Sequence, residues 1–388
     1  MKKNITRKQQ VRKLTKSTNK QLHKRAAEGR LTVGLDLGDR TSHYCILDAE
    51  GTVLIRETLP TTKGGVDRVF AKLPASRVAL EVGGQSPWLS RRLAALGHEV
   101  IVANPRNLAW ITKSQRKNDP LDAEKLARLA RVDPQMLAPI RHRGEQAQKD
   151  LALIRARAAL VEARTKVINT ARGLVKSLGE RLDSCPSEKL DRTKAQKLDS
   201  TIRTIVDPLL RSVEQLNEQI EVYDAEIAAL AQRYKESALL TEVYGVGELT
   251  AVTFLLTLED PARFSKSRDV GAYLGFQPRQ KQSGSRNPEL SISKQGDRHL
   301  RWMLVQCAHC ILRRGAPDSD LRRWGLQKIE EGKKQQAEKG KRKNIKKKMV
   351  VAVARKLAVL LHHLWVNGEV YDPLWEAHAA EAKTRAAA

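Results

Sequence analysis

The chain has 388 residues, with 71 Lys and Arg against 44 Asp and Glu, a formal net charge of +27. That length supports two or three domains with cores of their own, and that charge calls for a polyanionic partner, nucleic acid first. With no run of about 18 apolar residues and no apolar signal-peptide core, a soluble intracellular protein is expected and a membrane protein is not.

In chain order, residues 1–30 carry 11 basic residues against Glu28 alone, and residues 333–348 carry 9 against Glu338 alone. Segments of one sign repel themselves, so both are expected to be mobile until a polyanion binds. A mitochondrial-type presequence is the weaker reading of the first. Residues 31 to about 140 read as α/β. "VGLDLGDRTSHYCILDAEGTVL" gives a strand carrying Asp36, a turn at Gly38-Asp39, a second strand and a hairpin turn at Glu50-Gly51. "RVALEV", with Glu81, is a third strand; a helix follows from about Pro87 to Leu96, then the strand "HEVIVANP" and the helix "DPLDAEKLARLAR". Strands alternating with helices imply a mixed or parallel sheet.

From 145 to about 236 the period changes. Val206, Leu209, Val213, Leu216, Ile220, Tyr223, Ile227, Leu230 and Tyr234 fall at alternating intervals of three and four, a heptad seam. A weaker stripe runs through Leu151, Ile154, Ala158, Val161, Ile168 and Val175, so a helical hairpin or a coiled coil joining protomers is expected. "LLTEVYGVGELTAVTFLLTL" then sets Gly245 and Gly247 in a turn between apolar helices. This is a helix-hairpin-helix pattern whose N–H groups can meet phosphate, although a plain helical hairpin reads equally well. A polar loop and a helix follow, and "MVVAVARKLAVLLHHLW" is the final helix. Cysteines 45, 185, 307 and 310 make no disulfide framework, and Cys307-x-x-Cys310 on an apolar helix reads as packing rather than zinc.

Two constellations carry chemistry. Asp36, Glu81, Asp119 and Asp122 lie at strand ends or a helix start; converging there they would bind Mg2+ ions, which activate a nucleophile and stabilise a leaving oxygen at a phosphodiester. Asp119 before Pro120 also reads as a helix cap, and Asp36-x-Gly38 with Thr41 as an actin-like ATPase loop. That alternative needs further glycine-rich phosphate and adenosine segments, and a helical hairpin stands in their place. In "RQKQSGSRNPELSISKQGDRHLR", Ser283 and Ser285 flank Gly284 among Arg279, Lys281, Arg286, Lys294, Arg298 and Arg301. Such a loop either grips phosphate or supplies a serine nucleophile whose pentacoordinate phosphate the cations stabilise.

With "GLDLG", "ALEV", "KNDPLDAEKLA", "VYGVGELTA", "YLGFQPRQKQSG", "ISKQGDRHLR" and "VAVARKLAVLLHHLW" in that order, the chain resembles the insertion-sequence transposases of the one-ten group over nearly all of residues 31–370. The resemblance implies α/β plus α architecture. Residues 31–140 would be a ribonuclease-H-like domain similar to Holliday-junction resolvases, 141–236 a coiled-coil hairpin, and 237–375 a mainly helical serine transposase domain with a basic insertion at 326–348. Residues 1–30 and 376–388 would be tails, the first a departure from the family pattern. It further implies that Asp36, Glu81, Asp119 and Asp122 hold Mg2+, and that Ser283, with Ser285 as fallback, attacks DNA to form a transient phosphoserine link. An element-encoded structured noncoding RNA would pair with donor and target DNA, leaving the protein to contact backbones and shape. A homodimer or homotetramer, in which one protomer's acidic domain meets another's serine domain, would work in the bacterial cytoplasm at the nucleoid. The alternatives are a metal-dependent, structure-selective DNA nuclease in which Ser283 only grips phosphate, and a nonenzymatic RNA-packaging protein.

Overall fold

The computed structural model describes residues 15–104, 119–284, 287–288, 290–339, 344–375 and 378–379. These form two compact units that divide between Glu145 and Gln146.

The first unit is built on five strands: β1 (Thr32–Asp36), β2 (Thr41–Leu47), β3 (Val53–Pro60), β4 (Arg77–Glu81) and β5 (Glu99–Ala103). Their order is β3-β2-β1-β4-β5; β1, β2 and β3 pair antiparallel, whereas β4 runs parallel to β1 and β5 parallel to β4. The alternation of side chains decides the two faces. Val33, Leu35, Tyr44, Ile46, Leu59, Val78 and Leu80 share one core with Val66, Val69 and Phe70 of α2 (Lys63–Phe70) and Leu89 and Leu93 of α3 (Ser86–Ala95). On the opposite face Cys45, Leu47, Ala79, Ile101 and Ala103 lie under Ala123, Leu126, Ala127 and Ala130 of α4 (Asp119–Val132).

Three elements here differ from the sequence-based expectation. The basic leader is helical over α1 (Lys16–Glu28): Thr15 caps it, and Leu22, 1% exposed, anchors it in the core, so one buried side chain outweighs the charge that suggested a mobile tail. The strand β3 is a half-buried edge with only Leu59 buried, which left no clean apolar alternation to read. The short α2 has two glycines directly after its first residue, Lys63, and is started by Thr62, whose hydroxyl accepts from Gly65 N at 3.1 Å.

In the second unit α5 (Glu145–Ser177) and α6 (Ser200–Arg233) form an antiparallel hairpin. Ile154 meets Ile227 at one end and Ile168 packs with Val213 farther along, with Arg157 paired to Asp224 and Arg164 donating to Asn217 at 2.8 Å between them. Of the expected seam, Val206, Val213, Ile220, Ile227 and Leu230 are buried, while Leu209, Leu216, Tyr223 and Tyr234 are half-buried. The polar connection adds Leu190, Ala195 and Leu198 to the hairpin core.

The remaining helices are α7 (Ser237–Thr241), α8 (Glu248–Leu258), α9 (Arg268–Tyr273), α10 (Arg298–Ile311), α11 (Asp320–Lys339) and α12 (Ile345–Asn367). They share a core through Leu240, Phe254, Val270, Leu304, Leu357 and Leu361, among others. Much of the basic insertion expected at 326–348 is thus helical, divided between the end of α11 and the start of α12. By length and composition α12 is long and apolar enough to cross a membrane. It carries Arg355 and Lys356, and its buried face packs in this core.

Candidate active site and nucleic-acid interface

Asp36 ends β1 and Glu81 ends β4, two strands held side by side in parallel register through Leu35 and Leu80. Both are half-buried, and both continue the side-chain rows of Gly34 and Ala79, the face that α4 covers. The direction of α4 follows from its contacts. A Cβ on Gly34 would lie 1.9 Å from Ala123 O and 2.5 Å from Ala127 N, and Arg77, which starts β4, donates to Ala130 O at 3.1 Å. The helix therefore runs antiparallel to β1 and β4, and its N-terminal turn, with Asp119 and Asp122, stands over the strand ends that carry Asp36 and Glu81.

The fold thus gathers the four acidic positions at one end of one sheet. His43, paired with Asp36 in the β1–β2 register and half-buried, joins them, and the sequence reading missed it. Asp36, His43 and Glu81 all have partners, and Asp122 is bound by Lys125 at 2.9 Å. The side chain of Asp119 lies outside the described residues. Among the described residues no three His, Cys, Asp or Glu side chains form a metal-holding group. As a donor set, carboxylate oxygens suit a hard divalent cation, for which Asp122 would have to exchange Lys125.

Glu124, also unanticipated, is buried on α4 between Arg56 and Arg128. Burial works against its charge, but the hydrogen bonds from Arg128 and Arg56 outweigh burial and hold its carboxyl below the ordinary range. The network ties α4 to β3. Beside it the Cys45 thiol is pushed up to about 11, chiefly by burial.

The serine-bearing segment of the second unit is a loop closed at its base. Arg279 N donates to Ser291 O at 3.1 Å, Ser293 N to Gln277 O at 2.7 Å and Lys294 N to Gly275 O at 3.1 Å, so the chain returns antiparallel on itself. Ser283 and Gly284 lie toward the tip, with Ser283, Arg279, Lys281, Lys294 and Arg298 all exposed. Ser285 and Arg286 lie outside the described residues. The base tolerates only glycine at two places: a Cβ on Gly275 would lie 2.2 Å from Gln295 O, and one on Gly296 2.0 Å from Tyr273 O. Arg301, grouped by sequence with the phosphate-gripping cations, is instead 9% exposed; its guanidinium donates to Leu274 O at 2.9 Å and Gln295 O at 2.7 Å. It supports the loop from within.

The two glycines of the Gly-Val-Gly turn differ in role. Gly245, at φ 87°, packs against α10, where a Cβ would come 3.1 Å from Cys307 O and from Cys310 Cβ. Gly247 is exposed and caps α8. On α10 Cys307 is buried against Thr250 and Cys310 is exposed; burial pushes the Cys307 thiol up to about 11.

Family comparison places the chain in a class of DNA-handling enzymes. Residues 33–179 match a DEDD transposase family model, and residues 237–322 match the model described as "Transposase IS116/IS110/IS902 family". The transposase for insertion sequence element IS1328 of Yersinia enterocolitica is 30% identical over 73% of this chain and 84% of its own length. The transposase for insertion sequence element IS1111A of Coxiella burnetii is 28% identical over 72% and 78%. A putative transposase of Sinorhizobium fredii is 27% identical over 90% and 87%. The chain belongs to the IS110 family of transposases, enzymes that cleave and rejoin DNA.

Proposed function

We propose that this transposase excises and inserts an insertion-sequence element through two cooperating sites, the acidic sheet end of the first unit and the Ser283 loop of the second. The observation that carries the reading is the convergence of Asp36, Glu81 and the start of α4 within the segment matched by the DEDD transposase model. The strand order β3-β2-β1-β4-β5, with three antiparallel strands followed by two parallel additions, supports a ribonuclease-H-like, resolvase-like domain. Residues 141–236 then act as the hairpin, and 237–375 as the serine domain.

In this reading Asp36, Glu81, Asp119 and Asp122 hold a divalent cation, Mg2+ by the hardness of the donors, which when bound supplies charge stabilisation at phosphate oxygens. Ser283 Oγ attacks phosphorus, the bond to the leaving sugar oxygen breaks, the serine proton passes to water and the leaving oxygen takes one up. A hydroxyl from the recipient strand then attacks the phosphoserine, restoring a diester and freeing Ser283. Arg279, Lys281, Ser285, Arg286, Lys294 and Arg298, with the backbone at Gly245 and Gly247, supply the phosphate contacts in this reading. An element-encoded RNA chooses the DNA by base pairing, and the enzyme works as a homodimer or homotetramer in the bacterial cytoplasm.

The test is a denaturing gel of full-length protein with its RNA, donor and target DNA and Mg2+. A covalent protein–DNA adduct is expected in wild type and absent in Ser283→Ala. Metal-dependent cleavage without an adduct in either would establish the metal-only nuclease instead, and an adduct unaffected by omitting the RNA would remove the guide.

A further inference from the structure

The exposed face of α10 carries a feature that strand cleavage does not use. Trp302 is 57% exposed, and its ring stacks on that of His299 with centroids 6.0 Å apart and planes 15° from parallel. Arg298, one turn earlier on the same face, is exposed, and no Asp or Glu occurs from Arg298 to Ile311. Asp297, just before the helix, is already engaged: it caps His299 N and Leu300 N at 2.9 and 3.0 Å and pairs with Arg155 at 2.9 Å. Arg155 keeps 54% of its side chain exposed. Burial lowers the His299 pKa below its ordinary value; Asp297 opposes this, and Arg155 and Arg157 add to it. The imidazole is therefore neutral near pH 7 and backs the indole as a second flat ring.

An open indole face with cationic flanks fits a nucleobase, which stacks on the ring while guanidinium groups reach the neighbouring phosphates. A base inside a duplex has its faces covered by its neighbours, so the match is to an unpaired one. An apolar protein surface would also cover an indole. Arginine flanks and a helix without carboxylates favour a polyanion over it. We propose that Trp302, backed by His299 and flanked by Arg298, is a stacking platform for an unpaired base of a single-stranded DNA segment. The inference rests on the transposase reading only in taking DNA as the polyanion; that the base is unpaired follows from the open ring face, which a paired and stacked base could not reach. Trp302 and His299 take no part in the proposed serine chemistry; Arg298 alone is common to both.

The experiment is fluorescence anisotropy with the full chain and three labelled probes: a short oligo(dT) strand, a duplex of equal length and an oligo(U) strand. Trp302→Ala is expected to weaken oligo(dT) binding about 5- to 150-fold, the range for one lost base–aromatic stack, with duplex binding changed by less than about twofold. Trp302→Phe should recover most of the loss, and Trp375→Ala, at another exposed tryptophan, should match wild type. An equal loss on strand and duplex, or no loss, would overturn the platform. A larger loss on oligo(U) than on oligo(dT) would assign the face to RNA, and loss of self-association in sedimentation with unchanged oligo(dT) binding would assign it to a second copy; either refutes the proposal. If the wild type forms no serine adduct while Trp302→Ala loses oligo(dT), only the serine reading fails. If Ser283→Ala abolishes the adduct while Trp302→Ala binds normally, only the platform fails.

Discussion

Replacing Gly34 by alanine tests the geometry that assembles the acidic site. The new Cβ would sit 1.9 Å from Ala123 O, 2.5 Å from Ala127 N and 3.0 Å from Ala123 C, all backbone atoms that no rotamer change can move. The strand cannot yield, because β1 is held by β2 on one side and β4 on the other. The helix α4 must therefore retreat by about 1.5 Å to regain ordinary contact, a core overpacking that costs about 1–3 kcal/mol. On the proposed metal-site reading the same retreat carries Asp119 and Asp122 away from Asp36 and Glu81, and a misplacement of about 1 Å at reacting groups costs on the order of 100-fold in rate. Stability is read by guanidinium denaturation followed by far-UV circular dichroism, and activity by excision from a donor plasmid. Gly64→Ala, where a Cβ meets no atom within 4 Å, is the control expected to lose neither. A Gly34→Ala protein within about 0.5 kcal/mol of wild type and equally active would refute the account of how the site is built.

Two further outcomes follow from buried groups. His98 is 6% exposed, with Nδ1 accepting from Ser76 N at 3.3 Å and Nε2 donating to Phe70 O at 3.0 Å; burial lowers its pKa below the ordinary 6.5, against the pull of the Phe70 carbonyl. The unfolded chain therefore takes up this proton first as pH falls, so the stability His98 contributes is full above about 6.5 and is lost progressively below it. Denaturation midpoints at pH 7.5 and 5.5 should show that fall in wild type, and a smaller one in His98→Gln. Asp297→Ala removes both the α10 cap and the Arg155 pair and should cost about 1–2 kcal/mol, whereas Asp297→Asn keeps the cap and should cost less than half of that; equal losses in thermal unfolding would mean the cap contributes nothing.

Much of this protein was legible in its residues. Short apolar segments around Val33, Tyr44 and Val78, set off by turns, marked strands, the 206–230 seam marked a long helix, and the ordered acidic and serine motifs marked the family that the comparisons bear out. Less legible were elements whose signal lies in a single anchor. Leu22 holds a helix inside a segment that composition describes as a charged tail, and the edge strand β3 buries one residue. Arg301 could not be told from its neighbours by type, since all are cations near a serine loop; only packing shows that its donors go inward to Leu274 O and Gln295 O.

By itself the sequence determined which chemistry is present: periodicity is a local property, and it fixes which segments bury a face and where carboxylates, serines and cations fall along the chain. Only the tertiary structure decided which of them meet. Parallel pairing of β1 with β4 brings Asp36 and Glu81 together across more than 40 residues of chain, and Gly34 lets α4 descend onto them. Such contacts are long-range, and no local pattern specifies them, because their energy comes from burying surfaces that are distant in sequence.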